Sequence, residues 1–222
     1  MKAILIPVKT FAESKKRLAA HYSAADRAAL ARALCEDFFR TIAEVTDIDR
    51  VFVVSQEPRA LAWAHDRGWE TLVETEQISE SHSVDAASRL CAEQGVHALL
   101  RLPSDIPMVG PHDIEALFSN AEDAPTTVLV PSRDGTGTNA LLRFPPTLFR
   151  SHFGPGSFAL HFDEARRCGA HVHVTRNPRI ELDIDEIADL HTAAGLIRPD
   201  SATGQWLATH FPTGTDRSLP DG

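Results

Sequence analysis

The sequence predicts a three-layer α/β/α fold around a mostly parallel, mixed sheet. Short runs rich in Val, Ile and Leu, bounded by turn residues, alternate with longer segments at helical spacing. Strand–helix alternation of this kind builds parallel sheets covered by helices on both faces. In the second half two strand-like runs follow one another with no helix between them, so some antiparallel pairing is expected there.

The first half reads as four strands joined by three helices. AILIPV (3–8) is a buried strand, and SAADRAALARALCEDFFRTIAEV (23–45) a helix with Ser23 as N-cap and Asp26 in its first turn. RVFVVS (50–55) is the second strand, followed by a short helix ending at Gly68 and a third strand, WETLVE (69–74). A helix over 83–95 stops at Gly95 and leads to the strand HALLRLP (97–103). The second half gives a helix at 111–120 and strands at 126–132 and 138–144, then a helix at 157–169. Strands at 171–176 and 179–185 and a last helix at 185–195 complete it. One domain over 1–198 is expected. The stretch 199–222, rich in Pro, Gly, Ser, Thr and Asp, reads as a mobile tail with a docking patch at QWLATHF (205–211).

Composition narrows the function. A formal charge of −9 argues against nucleic-acid binding, which needs a basic surface. No apolar run approaches the roughly 18 residues of a membrane span, and MKAILIPVKTF reads as a strand, not a signal peptide. Cys35, Cys91 and Cys168 lie far apart, as free thiols of a cytoplasmic protein would. An anionic ligand would therefore meet a few local cations or backbone N–H groups.

In an open α/β sheet ligands gather at the carboxyl ends of the parallel strands, here residues 7–17, 55–58, 74–83 and 103–107. The first segment, PVKTFAESKKRLA, carries Pro7, Val8 and Ser14 beside four cations, Lys9, Lys15, Lys16 and Arg17, a set suited to a polyphosphate or simply a solvated basic loop. RLPSDIPMV places Asp105 between two prolines as a rigid carboxylate, either a Mg²⁺ anchor or an Asx-turn. In ELDIDEIADL, Asp183 and Asp185 share one face of the expected strand; Asp185 suits the N-cap of the last helix, while Asp183 would join Asp105 at a metal. SRDGTGTNALLRF (132–144) and FGPGSFALHFDEARRCG (153–169) combine glycines with hydroxyls. They read as a hairpin turn and a capped helix, or together as a pocket for a small phosphorylated or carboxylated molecule, with free N–H groups at the start of the second helix.

Taken in order, PVK followed by SKKRLA, LPSDIP, DGTGTNAL, FGPGSFALH and LDIDEIADL resemble the 2-phospho-L-lactate guanylyltransferase family of coenzyme F-420 biosynthesis. That family lies within the molybdenum-cofactor guanylyltransferase-like nucleotidyltransferases. The resemblance implies a nucleotide-diphospho-sugar transferase-like fold. It also implies transfer of GMP from GTP to 2-phospho-L-lactate, phosphoenolpyruvate or 3-phospho-D-glycerate. On the matching positions it implies catalytic roles for Lys9, Lys15, Arg17 and Asp105. Nucleotide contacts are implied at Pro7, Val8, Lys9, Ser14, Lys15, Ser55 and Ser83, acceptor contacts at Thr138, Gly154 and Ser157, and Mg²⁺ at Asp105 and Asp183. The chain departs from the family's asparagine-bearing stretch after the third strand, where it offers Ser81, Ser83 and Asp85. That departure leaves two alternatives: a nucleotidyltransferase for another nucleotide with a sugar or phosphonate acceptor, and a non-catalytic nucleotide-binding module.

Overall fold

A computed structural model of the chain describes residues 1–76, 78–121 and 124–211. Seven strands form one sheet in the order β3-β2-β1-β4-β6-β5-β7. They are β1 (Lys2–Val8), β2 (Arg50–Ser55), β3 (Glu70–Val73), β4 (Ala98–Arg101), β5 (Thr126–Pro131), β6 (Thr138–Phe144) and β7 (His171–Val174). β1 pairs in parallel with β2 and β4, and β2 with β3; β6 is antiparallel to both β4 and β5, and β5 is parallel to β7. Every strand except β6 therefore points the same way. The start of β6, Thr138 and Asn139, lies on the edge where the other strands end. Chain order reverses beside β1, whose neighbours are β2 and β4, and such a switch point opens a crevice at the carboxyl edge.

Alternation along the strands feeds both faces. Ile4, Ile6, Val53 and Leu100 pack with Phe38, Phe39 and Ile114, whereas Ala3, Leu5, Phe52 and Leu99 pack with Val84, Ala87 and Cys91. The first set meets α1 (Ala24–Ala43), α2 (Pro58–Asp66) and α4 (Pro111–Phe118), and the second meets α3 (Glu80–Glu93). α5 (Ser157–Arg167) covers Leu129 and Leu141 through Ala165. The expected cap of α1 is present: Ser23 Oγ accepts the Asp26 N–H. α3 starts one turn earlier than its sequence suggests, capped by Ser79, so Ser83 lies in its first turns.

Two expectations are corrected. The run 179–185 is not a strand. Its alternating Ile180, Leu182 and Ile184 are buried, but a short helix, α6 (Pro178–Glu181), is followed by chain whose backbone bonds leave the sheet. Asn139 Nδ2 donates to Ile180 O and Glu181 O, and the Ile184 N–H donates to Asp105 O at 3.1 Å. The stretch from 199 onward also belongs to the folded body as far as α8 (Ala202–His210). There Asp37 of α1 accepts the N–H groups of Ala202 and Thr203, and buried Trp206 donates to Asp26 O. The patch at 205–211 docks through Trp206 and Leu207 into a cluster with Leu30, Leu34 and Leu190; residues 212–222 lie outside the described residues.

Candidate active site

Two adjoining cavities open at the carboxyl edge, of about 340 and 500 Å³. The first is lined by Pro7 and Val8 at the end of β1, by Ser14 and Lys15 from the loop after it, and by Ser83 from α3. The second is lined by Thr138, Asn139, Gly154, Ser157 and Asp183. Lys9, Arg17, Glu80, Arg101, Asp105 and Asp185 line both, so Asp105 stands at the junction.

Lys15 is the centre of the first cavity's charge pattern. Its backbone takes the left-handed conformation, φ 55° and ψ 37°, which a non-glycine residue adopts only when its surroundings impose it. The turn folds its side chain inward until it is 5% exposed, with Nζ 2.5 Å from Asp105 and 3.2 Å from Asp185. Burial opposes the ammonium charge, but these two carboxylates outweigh it and raise the Lys15 pKa above its usual value. Asp105 is likewise opposed by burial, yet Lys15 holds it below the ordinary carboxylate range. Arg17 reaches Asp185 at 3.5 Å from a more exposed position, and exposed Lys9 faces Glu80 at 3.6 Å.

Asp183 differs. Its partner is the neutral amide of Asn139 at 3.1 Å. Burial first, then the negative charges of Asp105 and Asp185, push its pKa up to about 6. Three carboxylates thus meet one buried ammonium, with Asp183 the least compensated.

In the second cavity, Ser132–Gly137 joins β5 to β6 as a hairpin connection. Asp134 accepts from Ser132, the Thr136 N–H and the Thr136 hydroxyl, and these bonds, Ser132's foremost, lower its pKa to about 2. Gly137 fits because a Cβ there would stand 2.8 Å from Ser132 Oγ. The first N–H groups of α5 are not left open as expected: Ser157 N donates to Gly154 O and Phe158 N to Thr136 O. Hydroxyls face the cavity instead, Ser157 Oγ standing 3.2 Å from Thr138 Oγ1. Gly156 precedes α5 at φ 73°, a conformation that swings the chain into the helix without a Cβ penalty.

Most of the residues singled out by sequence converge here, with exceptions. Ser55 lines neither cavity; it is fully buried, donates to Val8 O at 2.6 Å and accepts from the Glu57 N–H at 2.8 Å, so it holds the β1 and β2 ends together. Asp185 is not the cap of the helix that follows it, α7 (Ile187–Ala193): Glu186 is its N-cap, and the Asp189 side chain accepts from the Asp185 and Glu186 N–H groups. Asp185 is therefore left to face Lys15. Ser81 and Asp85, offered where the family carries an asparagine, line neither cavity. Ser81 Oγ accepts the Phe153 N–H and Asp85 accepts the Ser151 N–H, so both tie α3 to the loop before α5. Ser83 does line the first cavity, with its hydroxyl donating to Glu74.

Sequence reasoning passed over Arg101 and Glu80. Arg101 is 5% exposed, pairs with Glu80, stacks over Phe153 and reaches the carbonyls of Thr138 and Asn139. Its Nε has no hydrogen-bond partner among the described residues. The signal was present: an arginine closing an otherwise apolar strand at the ligand edge requires a partner for its charge.

The chain is similar to known proteins over most of its length. The family model described as "Guanylyl transferase CofC like" matches residues 1–195. The chain is 34% identical over 186 residues to phosphoenolpyruvate guanylyltransferase of Rubrobacter xylanophilus, covering 84% of this chain and 90% of that protein. It is 31% identical over 186 residues to 2-phospho-L-lactate guanylyltransferase of Methanothermobacter thermautotrophicus, covering 84% and 81%. Among solved structures, a Desulfovibrio desulfuricans G20 protein assigned as a nucleotide-diphospho-sugar transferase superposes with a TM-score of 0.74 over 94% of this chain and 95% of that one. Its 17% identity shows the fold alone. The 4-diphosphocytidyl-2C-methyl-D-erythritol synthase of Anaerococcus prevotii, at 11% identity, matches 87% of this chain and 94% of its own with a TM-score of 0.61.

Proposed function

The chain belongs to the CofC-like guanylyl transferase family, and from that premise we propose that it joins GMP from GTP to a small phosphorylated three-carbon acid. Phosphoenolpyruvate, 2-phospho-L-lactate and 3-phospho-D-glycerate are the acceptors this reading admits, and coenzyme F-420 biosynthesis is the setting. The observation that carries it is the pair of adjoining cavities with Asp105 at their junction. A two-substrate transfer needs two sites that meet at the reacting atom.

In this reading the cavity behind Pro7, Val8, Ser14, Lys15 and Ser83 takes the nucleotide, and the one around Thr138, Gly154 and Ser157 takes the acid. A phosphate oxygen of the acid attacks the α-phosphorus of GTP. The bond from that phosphorus to the β-phosphate's bridging oxygen breaks, and pyrophosphate leaves. Both reactants are anions, so approach depends on positive charge at the junction, which Lys9, Lys15, Arg17 and Arg101 supply.

The residues also fit Mg²⁺. Asp105 and Asp183 are hard oxygen donors, and Asp183 lacks a cationic partner of its own. Among the described residues no three His, Cys, Asp or Glu side chains form a metal cluster. The chain would supply two carboxylates, as Mg²⁺ sites beside phosphates commonly do, and the bound ion would neutralise part of the triphosphate charge.

The test is pyrophosphate release by the full chain with Mg²⁺ and GTP, each of the three acids being supplied in turn, with CTP, UTP and ATP run in parallel. Release that requires GTP together with one of the acids is expected. Release with another nucleotide alone, or with GTP and no acid, refutes the assignment.

A further inference from the structure

His161 lies behind the acceptor cavity and none of the roles above uses it. It is fully buried on α5 and takes part in two hydrogen bonds, one at each ring nitrogen. The His152 backbone N–H stands 2.8 Å from Nε2. An amide N–H can only donate, so Nε2 must be the bare nitrogen. Burial, with the positive charges of Arg143 and Arg101 behind it, lowers the His161 pKa to about 3, so the ring is neutral. A neutral imidazole carries one proton, which then sits on Nδ1 and points at Thr138 Oγ1, 3.0 Å away.

That proton decides what the cavity offers. Thr138 Oγ1 accepts from His161, and Ser157 Oγ is its other neighbour at 3.2 Å. One hydroxyl proton bridges Thr138 and Ser157, and the second is left over for the cavity both residues line. Were the imidazole proton on Nε2 instead, Thr138 would have to donate to Nδ1. Ser157 would then donate to Thr138, and no hydroxyl proton would remain for a ligand.

We propose that His161 is a positioning residue of the acceptor site: by donating from Nδ1 to Thr138 it fixes the Thr138–Ser157 hydroxyl pair as a hydrogen-bond donor to an anionic oxygen of the phospho-acid. This rests on assigning that cavity to the acceptor. The ligand class it favours is one with a carboxylate or phosphate oxygen at this point, which takes the hydroxyl proton left over by the pair.

Two amide variants separate the two ring nitrogens. His161→Asn places an N–H where Nδ1 was and keeps the donor to Thr138. His161→Gln reaches the Nε2 position, keeps an acceptor for the His152 N–H and loses the donor to Thr138. The expected result is that the asparagine variant keeps the KM for the acid near wild type. In the glutamine variant that KM rises about tenfold, the scale of one lost hydrogen bond to a charged group, with the KM for GTP unchanged in both. The reverse order would mean that His161 serves only to hold the loop at His152, and would overturn the proposal. A measurement that does not depend on turnover is the imidazole tautomer, read from ¹⁵N shifts and two-bond N–H couplings in the full chain without ligand. The Nδ1–H form is expected. The Nε2–H form in an enzyme that turns over a phospho-acid overturns the relay alone. A wild-type chain silent with every phospho-acid overturns the acceptor assignment beneath it.

Discussion

Replacing Asp183 with asparagine should make the protein more stable and leave it without activity. Burial and the charges of Asp105 and Asp185 raise the Asp183 pKa from 3.8 to about 6. A carboxyl with a raised folded-state pKa holds its proton more tightly in the native chain than in the unfolded one. Between pH 3.8 and about 6, stability therefore falls as pH rises, and above pH 6 the full loss is present. At about 1.4 kcal/mol for each pH unit separating the two pKa values, the ionised carboxylate costs about 3 kcal/mol at neutral pH. Asparagine has nearly the same shape, carries no charge and can still accept from Asn139 Nδ2, so it removes that cost without opening a cavity. For a chain of this size about 3 kcal/mol corresponds to about 6–12 °C in melting temperature. Thermal unfolding in metal-free buffer, followed by circular dichroism at pH 8 and pH 4, measures it. The variant should melt higher at pH 8, the gap should close towards pH 4, and Mg²⁺ with GTP should stabilise wild type far more than the variant. A variant that melts at or below wild type at pH 8 would refute the charge assignment, as would a gap that persists at pH 4.

Asp105→Asn removes the partner of buried Lys15 as well as a metal ligand. Pyrophosphate release should drop on the order of 10²–10³-fold, and, unlike the Asp183 variant, this one should melt below wild type. Arg101→Met should lower kcat/KM by about 10²-fold in steady-state assays, because a buried cation lining both cavities is lost where negative charge accumulates. Ser55→Ala should cost about 1–3 kcal/mol in urea unfolding while leaving both KM values unchanged, since its two bonds join β1 to the chain after β2 and face no cavity. Gly204→Ala should loosen α8, as its Cβ would stand 2.1 Å from Arg198 O; the emission of Trp206 should shift to the red on exposure.

What the sequence determined by itself was whatever local pattern controls. The period-two strands and 3.6-period helices, the cap at Ser23 and the strand-end placement of Lys9, Lys15 and Asp105 were all legible, because side-chain direction follows from spacing along one element. Register across the chain is different. Lys15 meets Asp105 across 90 residues and Asp185 across 170, and only the strand order around β1 and the reversed direction of β6 bring those segments to one edge. The same limit explains the misread run at 179–185. Alternating Ile180, Leu182 and Ile184 satisfy a strand pattern, but a strand also needs a neighbour, and Asn139, Arg133 and Asp105 claim its backbone instead. Asp185 likewise carried the signature of a helix cap, and tertiary packing gave that place to Glu186 and turned Asp185 towards an ammonium. Spacing fixes which face a residue shares, whereas the partner waiting there depends on sheet order, which no single element encodes.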